Sequence, residues 1–152
     1  MKYSSKKNLI RKVKFGKNCK IINPVNLYEC NIGNNVFVGP FVEICKDVKI
    51  KDNTRISSHS YICEGVNIGK NCFIGHGVIF TNDKFSNLKI SRDPTKWLKT
   101  NIGNNVLIGS NATILPVKIC KDVVIGAGAV VTKNISKPGK YAGNPAKKIN
   151  IG

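Results

Sequence analysis

The chain has 152 residues, which fits one domain, and 41% of them are hydrophobic. Twenty-five lysines and arginines face eight acidic residues, giving a formal charge of +17. No apolar run is long enough for a membrane span, and Met1 to Lys14 lacks the apolar core of a signal peptide, so a cytoplasmic protein with no membrane partner is expected. The charge does not by itself make a nucleic-acid binder. Twenty-two of the basic residues are lysines, no aromatic residues interleave with them, and no recognition motif is present. A lysine-rich solvated surface explains most of that charge, and its field would also attract polyanionic small molecules.

Residues 1–14 read as a polar lead-in that caps the start of the domain. An apolar column begins at Phe15 and passes Ile21 and Leu27, then takes a five-residue step to Ile32. From there every sixth residue is apolar: Ile32, Val38, Ile44, Ile50, Ile56, Ile62, Ile68, Ile74 and Phe80. The residue four further on is small or β-branched, as at Val36, Thr54, Ser60 and Cys72, and glycine often follows the column residue, as at Gly33 and Gly75. Neither a helix nor an ordinary strand repeats every six residues. The pattern predicts a hexapeptide β-helix, in which each hexad makes one short strand and one corner and three hexads close a triangular coil.

The column is interrupted by 21 residues, Thr81 to Asn101, which hold the only tryptophan, Trp97. Loops this long are usually functional or disordered, and this one departs directly after Asn82 and Asp83. The column resumes at Ile102, Ile108 and Ile114, takes another five-residue step to Ile119, and ends with Ile125 and Val131. Eighteen hexads make six coils. The tail, residues 136–152, breaks the pattern with Pro138-Gly139 and Gly143-Asn144-Pro145. Six cysteines form no C-x-x-C pair, so small buried hydrophobes are expected, not disulfides or a metal site.

Coil geometry relates distant residues, because those eighteen apart stack on successive coils about 4.8 Å apart. Lys46, Glu64 and Asn82 are eighteen apart and should project from one corner, one above the other. His59 and His76, the only histidines, are seventeen apart and should lie on adjacent coils near another edge. Solvent exposure is the ordinary fate of a histidine at a turn, but Gly75 and Gly77 leave open backbone around His76.

The repeat resembles that of the left-handed β-helix (hexapeptide-repeat) acyltransferases, over about Phe15 to Ile149. Within that superfamily, Cys63-Glu64-Gly65-Val66, Gly75-His76-Gly77-Val78 and Phe80-Thr81-Asn82-Asp83 are similar to N-acetyltransferases acting on nucleotide-linked 3-amino sugars of surface polysaccharides. The resemblance implies an all-β, left-handed parallel β-helix that forms a homotrimer with sites between subunits. It also implies acetyl-CoA as co-substrate, a dTDP- or UDP-linked amino sugar as acceptor, and no metal. Asn82 would orient the acceptor amine and His76 would serve as auxiliary base. Glu64, His59, Asp83 and Lys46 would contact the sugar nucleotide. Gly109, Ala112, Gly126, Ala127, Lys133 and Lys147 would border coenzyme A, and outward Tyr61, Phe73 and Leu107 would face a neighbouring subunit.

Two alternatives remain open at this stage: a sugar O-acetyltransferase of the same fold, with a histidine as essential base, and a non-catalytic structural β-helix. A carbonic anhydrase on this fold would need three histidine ligands where the chain has two, and an ice-binding helix would need outward threonine rows where this chain has lysine, aspartate and asparagine.

Overall fold

A computed structural model of the chain describes residues 9–85 and 88–150. Most of the expected lead-in, residues 1–8, lies outside them, as do Ser86 and Asn87 of the loop and the last two residues. Strands of two to four residues build three sheets, parallel throughout except at the last strand. The first sheet stacks Ile10–Arg11, Asn26–Tyr28, Glu43–Ile44, Tyr61–Ile62, Ile79–Phe80, Thr113–Ile114 and Val130–Val131. The second stacks Lys14–Phe15, Asn31–Ile32, Lys49–Ile50, Val66–Ile68, Thr100–Ile102 and Lys118–Ile119. The third runs from Lys20–Ile21 through Phe37–Val38, Arg55–Ile56, Phe73–Ile74, Leu107–Ile108 and Val123–Ile125 to Gly139–Ala142 and Lys147–Ile149. This is a left-handed parallel β-helix of about seven turns.

The period-six column is the core. Column residues pair with one another in register, as in Ile44 with Ile62 and Ile74 with Ile108, and from Leu27 to Val131 each is at most 5% exposed. Phe15, on the lowest strand of the second sheet, is 42% exposed. Most fourth-position residues are buried too, and three of the hydroxyl and thiol members find a partner in the same way. Each reaches a glycine carbonyl on the next coil: Thr54 Oγ1 to Gly69 at 2.9 Å, Ser60 Oγ to Gly75 at 2.9 Å, Cys72 Sγ to Gly103 at 3.2 Å. A small hydroxyl or thiol bonded in this way costs little inside the stack, whereas the buried Thr100 hydroxyl, opposite Val66, has no partner among the described residues.

Corners explain the remaining composition. The third residue after the column takes a left-handed conformation at almost every corner, and it is usually asparagine, aspartate or glycine: Asn35 (φ 54°), Asn53 (57°), Asn71 (55°), Asn105 (57°), Asp122 (59°). At the corner between the second and third sheets these side chains form a ladder, with Asn35 Nδ2 to Asn53 Oδ1 at 3.0 Å and Asn105 Nδ2 to Asp122 Oδ1 at 2.9 Å. Glycine directly after the column answers a different need: a Cβ on Gly75 would lie 2.6 Å from the Ser110 backbone nitrogen of the next coil.

Three expectations change. The column starts one strand earlier, because Ile10 pairs with Leu27 and a five-residue step separates it from Phe15. The tail does not merely break the pattern: Ile135 bridges Ile119, Gly139–Ala142 adds a strand beside Val123–Ile125, and Lys147–Ile149 folds back antiparallel to close the sheet. Six coils thereby become about seven. The interruption ends two residues sooner than expected, since Thr100–Ile102 already pairs with Val66–Ile68.

Candidate active site

The corner between the first and second sheets carries the inserted loop. Residues 81–99 replace one ordinary corner, directly above the corner that holds Glu64. Lys46, Glu64 and Asn82 come together here as the eighteen-residue spacing predicts. Asn82 Nδ2 donates to Glu64 Oε2 at 3.3 Å, and both side chains are half-buried. A carboxylate can only accept, so the amide must turn its NH2 toward Glu64 and its carbonyl oxygen away. The Asn82 oxygen is thus presented as a fixed acceptor. Beside it the Thr81 hydroxyl is buried and has no partner among the described residues.

Asp83 is spent on the loop itself. Its Oδ1 accepts the Phe85 N–H and its Oδ2 the Ser91 N–H, each at 2.8 Å, and these bonds hold its carboxyl below the usual carboxylate range. Asp83 thus pins the loop base, where the Leu98 N–H also donates to the Asn82 main-chain carbonyl at 3.0 Å. Further along, Asp93 caps a short 3-10 turn, Pro94–Lys96, and Trp97 Nε1 donates to the Ser91 carbonyl at 2.9 Å. Under the loop is a cavity of about 500 Å³ whose walls include Lys46, Glu64, Asn67, Trp97 and Lys99.

Behind this corner lies a cluster of thiols and phenols. Burial pushes the Cys63 thiol up to about 12 and the Cys30 thiol to about 11. Cys45 also shifts upward, mainly by burial and against hydrogen bonds with Tyr28 and Tyr61, whose phenols burial raises as well. A thiol protonated at neutral pH is a poor nucleophile, so Cys63, although adjacent to Glu64, is a packing residue. All six cysteines are free; four are buried, and Cys19 and Cys120 are partly exposed.

The histidines occupy the corner between the third and first sheets, at the other end of the strand Ile79–Phe80 from Asn82. One chain therefore does not bring His76 and Asn82 to the same corner. His59 has φ 62° and stacks on Phe41 with ring centroids 4.9 Å apart. His76 is exposed, and its Nδ1 lies 2.8 Å from Ser58 Oγ. Its backbone N–H donates to Ser110 Oγ at 3.2 Å. Ser58 was missed in the sequence although it stands eighteen residues before His76, the spacing that paired Glu64 with Asn82.

The residues expected to border coenzyme A divide into two groups. Ala112 is fully buried inside the coil, and a Cβ on Gly109 would meet the Ala127 nitrogen at 2.5 Å. Both sizes are set by stacking, and Ala112 cannot face a ligand. Gly126 is half-buried and Ala127 exposed at the C-terminal end of the histidine corner, where the Gly126 N–H donates to the Tyr141 carbonyl at 2.8 Å. The tail runs past it, with the Ala146 N–H on the Val130 carbonyl at 2.8 Å, so Lys147 lies on the closing strand nearby. Lys133 is exposed just beyond the last column residue.

No cluster of three or more histidine, cysteine, aspartate or glutamate side chains suited to a metal is present among the described residues. Among those residues, too, no helix is long and apolar enough to cross a membrane.

Two family descriptions match the repeat: "Hexapeptide repeat of succinyl-transferase" over residues 47–82 and 99–133, and "Bacterial transferase hexapeptide (six repeats)" over residues 29–64. Among curated relatives, the bifunctional protein GlmU of Buchnera aphidicola is 38% identical over 133 residues, 86% of this chain and 26% of the relative. The chain thus spans about a quarter of the length of the curated relatives it matches. Among solved structures, the N-acyltransferase AntD from Bacillus cereus superposes with a TM-score of 0.76 at 22% identity, covering 97% of this chain and 87% of that one. PerB from Caulobacter crescentus gives 0.65 at 19% identity, covering 93% and 57%. The two family descriptions fall on the coils that the column defines, and the solved structures share their fold. The chain belongs to the bacterial hexapeptide-repeat transferases, of the left-handed β-helix superfamily.

Proposed function

We propose that the chain is an acetyl-CoA-dependent N-acetyltransferase acting on the amine of a dTDP- or UDP-linked amino sugar, in a cytoplasmic route to surface polysaccharide. The observation that carries this reading is the Asn82–Glu64 hydrogen bond, which leaves the Asn82 carbonyl oxygen as a preset acceptor for an amine N–H. With one N–H held there, the nitrogen lone pair is aimed, and it attacks the thioester carbonyl carbon. The carbonyl oxygen takes the negative charge. Collapse forms the amide, breaks the carbon–sulfur bond and releases the coenzyme A thiolate, and the surplus amine proton leaves to that thiolate or to water. An amine needs no strong base for attack, so aiming outweighs general-base catalysis. Lys46 and Glu64 would hold the sugar nucleotide, and Gly126, Ala127, Lys133 and Lys147 the coenzyme.

Two likenesses in fold support the class: AntD was crystallised with dTDP and 3-hydroxybutyryl-CoA, and PerB with CoA and GDP-perosamine. The motif resemblance favours an amine on carbon 3, whereas an AntD crystal holds dTDP-4-amino-4,6-dideoxyglucose, so both positions belong in a substrate panel. A homotrimer fits the outer faces. The first and third sheets expose apolar side chains (Ile79 at 38%, Phe73 at 37%, Leu107 at 45%), while the outward row of the second sheet is Lys14, Asn31, Lys49, Asn67, Asn101 and Lys118. Covering the two apolar faces by neighbouring copies would also carry the histidine corner of one chain toward the loop of another.

One observation favours the O-acetyltransferase reading: Ser58 Oγ lies 2.8 Å from His76 Nδ1, and the tautomer in which Nδ1–H donates to that hydroxyl has Nε2 unprotonated, as a base requires. Steady-state kinetics of His76→Asn and Asn82→Ala separates the two. Under the amine reading His76→Asn loses less than about tenfold in kcat/KM and Asn82→Ala loses more. A thousandfold loss in His76→Asn with a near-normal Asn82→Ala would establish the hydroxyl reading instead.

A further inference from the structure

The cavity beneath the loop is lined by residues of both charges, with the basic ones in excess. Lys46, Lys49 and Lys99 contribute three ammonium groups to its walls, and Glu64 and Asp47 contribute carboxylates at the corner. The Trp97 indole completes the lining, half-buried and held in place through Nε1 by the Ser91 carbonyl. The Lys99 stem lies over Gly65, where a Cβ would come within 3.4 Å of its Cγ, so the absent side chain gives that lysine its seat. A second cavity, about 380 Å³, shares Lys49 and Asn67 with the first and continues along the outer face of the second sheet past Lys51, Asn101 and Lys121. The sugar chemistry at Asn82 and Glu64 uses none of Trp97, Lys49 and Lys99.

We infer that Trp97, Lys46, Lys49 and Lys99 form a binding site for a nucleoside diphosphate, the non-reacting end of the acceptor substrate, which stays joined to the sugar throughout acetyl transfer. The inference rests on the function proposed above and adds a subsite to it. A fixed aromatic face offers stacking to a nucleobase, which every base accepts. Clustered ammonium groups offer charge-assisted hydrogen bonds to a diphosphate. Lys46, Lys49 and Lys99 outnumber Glu64 and Asp47 in the lining, so the diphosphate is drawn to the lysines, while the sugar amine is attracted to Glu64, the hydrogen-bond partner of Asn82. The single tryptophan of the chain then lies inside the substrate site.

That tryptophan is also the probe. Titrating the full chain with UDP, dTDP, uridine, inorganic pyrophosphate and coenzyme A, while following intrinsic fluorescence, reads occupancy without any turnover. Saturable quenching by UDP or dTDP is expected, with uridine at least about tenfold weaker because it lacks the phosphates, and with the affinity falling as salt rises. By isothermal titration calorimetry, Trp97→Ala should weaken nucleotide binding about tenfold or more, Trp97→Phe should recover most of it, and Lys49→Ala with Lys99→Ala should weaken diphosphate but not uridine binding. Coenzyme A binding should be unchanged in all of these, and so should the melting temperature, to within a few degrees.

The inference is overturned if no nucleotide quenches Trp97, or if coenzyme A competes with UDP and dTDP for the same signal, which would make this the coenzyme's site. It is likewise overturned if Trp97→Ala acetylates amino-sugar nucleotides with an unchanged KM, while the proposed function stands. Nucleotide binding at Trp97 in a chain that acetylates no amino sugar would instead sink the function and keep the site.

Discussion

Glu64→Ala, Asn82→Ala and the double variant probe whether the carboxylate acts through the amide. The bond between them is 3.3 Å long and both side chains are half-buried. A fully desolvated hydrogen bond to a charged group contributes about 1.5–3 kcal/mol net, and partial exposure reduces that here to about 1 kcal/mol. Without Glu64 the Asn82 amide is free to flip and wander, so the loss in kcat should be about fivefold. Asn82→Ala removes the acceptor itself, and a misaimed nucleophile loses about a hundredfold. Since Glu64 works by fixing Asn82, removing it from Asn82→Ala should cost almost nothing further in kcat, and the double variant should match Asn82→Ala. Any separate contact of Glu64 with the sugar would show in KM. Saturating kinetics on the four proteins measures the coupling. Additive kcat losses would refute the positioning role, and so would a Glu64→Ala loss larger than that of Asn82→Ala.

Replacing residues 84–99 by a short Gly-Ser link should abolish acetyl transfer and lower the melting temperature only slightly, because the loop holds no column residue; collapse of the fold or unchanged transfer would count against the site. Alkylation with mass mapping at pH 8 should label Cys19 and Cys120 first and spare Cys30 and Cys63, since burial raises those two thiols to about 11 and about 12 and keeps them protonated at that pH. Each should ionise only as pH rises toward its raised value, so early labelling of Cys63 at pH 8 would contradict the burial described. Sedimentation at micromolar concentration should give a trimer, and a stable monomer would remove the site between subunits.

The coil stack was legible because its core repeats. One apolar residue in six, with a small residue four later, leaves no room for a helix or an alternating strand, and Ile32 to Phe80 carries that signal without a break. The ends were not legible, for a physical reason. An end coil is covered on one side only, so its residues need not be large or regular; Ile10 followed by a five-residue step looks like polar lead-in until Leu27 is seen pairing with it. The asparagine and aspartate residues at the third position after the column were a further readable sign, since the left-handed corner demands them.

Of the candidate site, stacking arithmetic found Lys46, Glu64 and Asn82. The same arithmetic, applied to His76, would have found Ser58. It could not find Trp97, Lys49 and Lys99 around one cavity, because the loop between 81 and 99 follows no repeat and its path is set by bonds such as Asp83 to Ser91. Nor could it separate glycines that admit a ligand from glycines that admit the next coil; Gly109 proves to be the second kind.

The most direct test of the central claim is to incubate the protein with acetyl-CoA and a panel of dTDP- and UDP-linked 3-amino and 4-amino sugars, beside their hydroxyl counterparts, and to locate the acetyl group in the product by NMR. The account predicts an amide on the sugar nitrogen, formed from at least one amino sugar and from none of the hydroxyl counterparts. An ester on a sugar oxygen, or no acetylated amine across the panel, would contradict it.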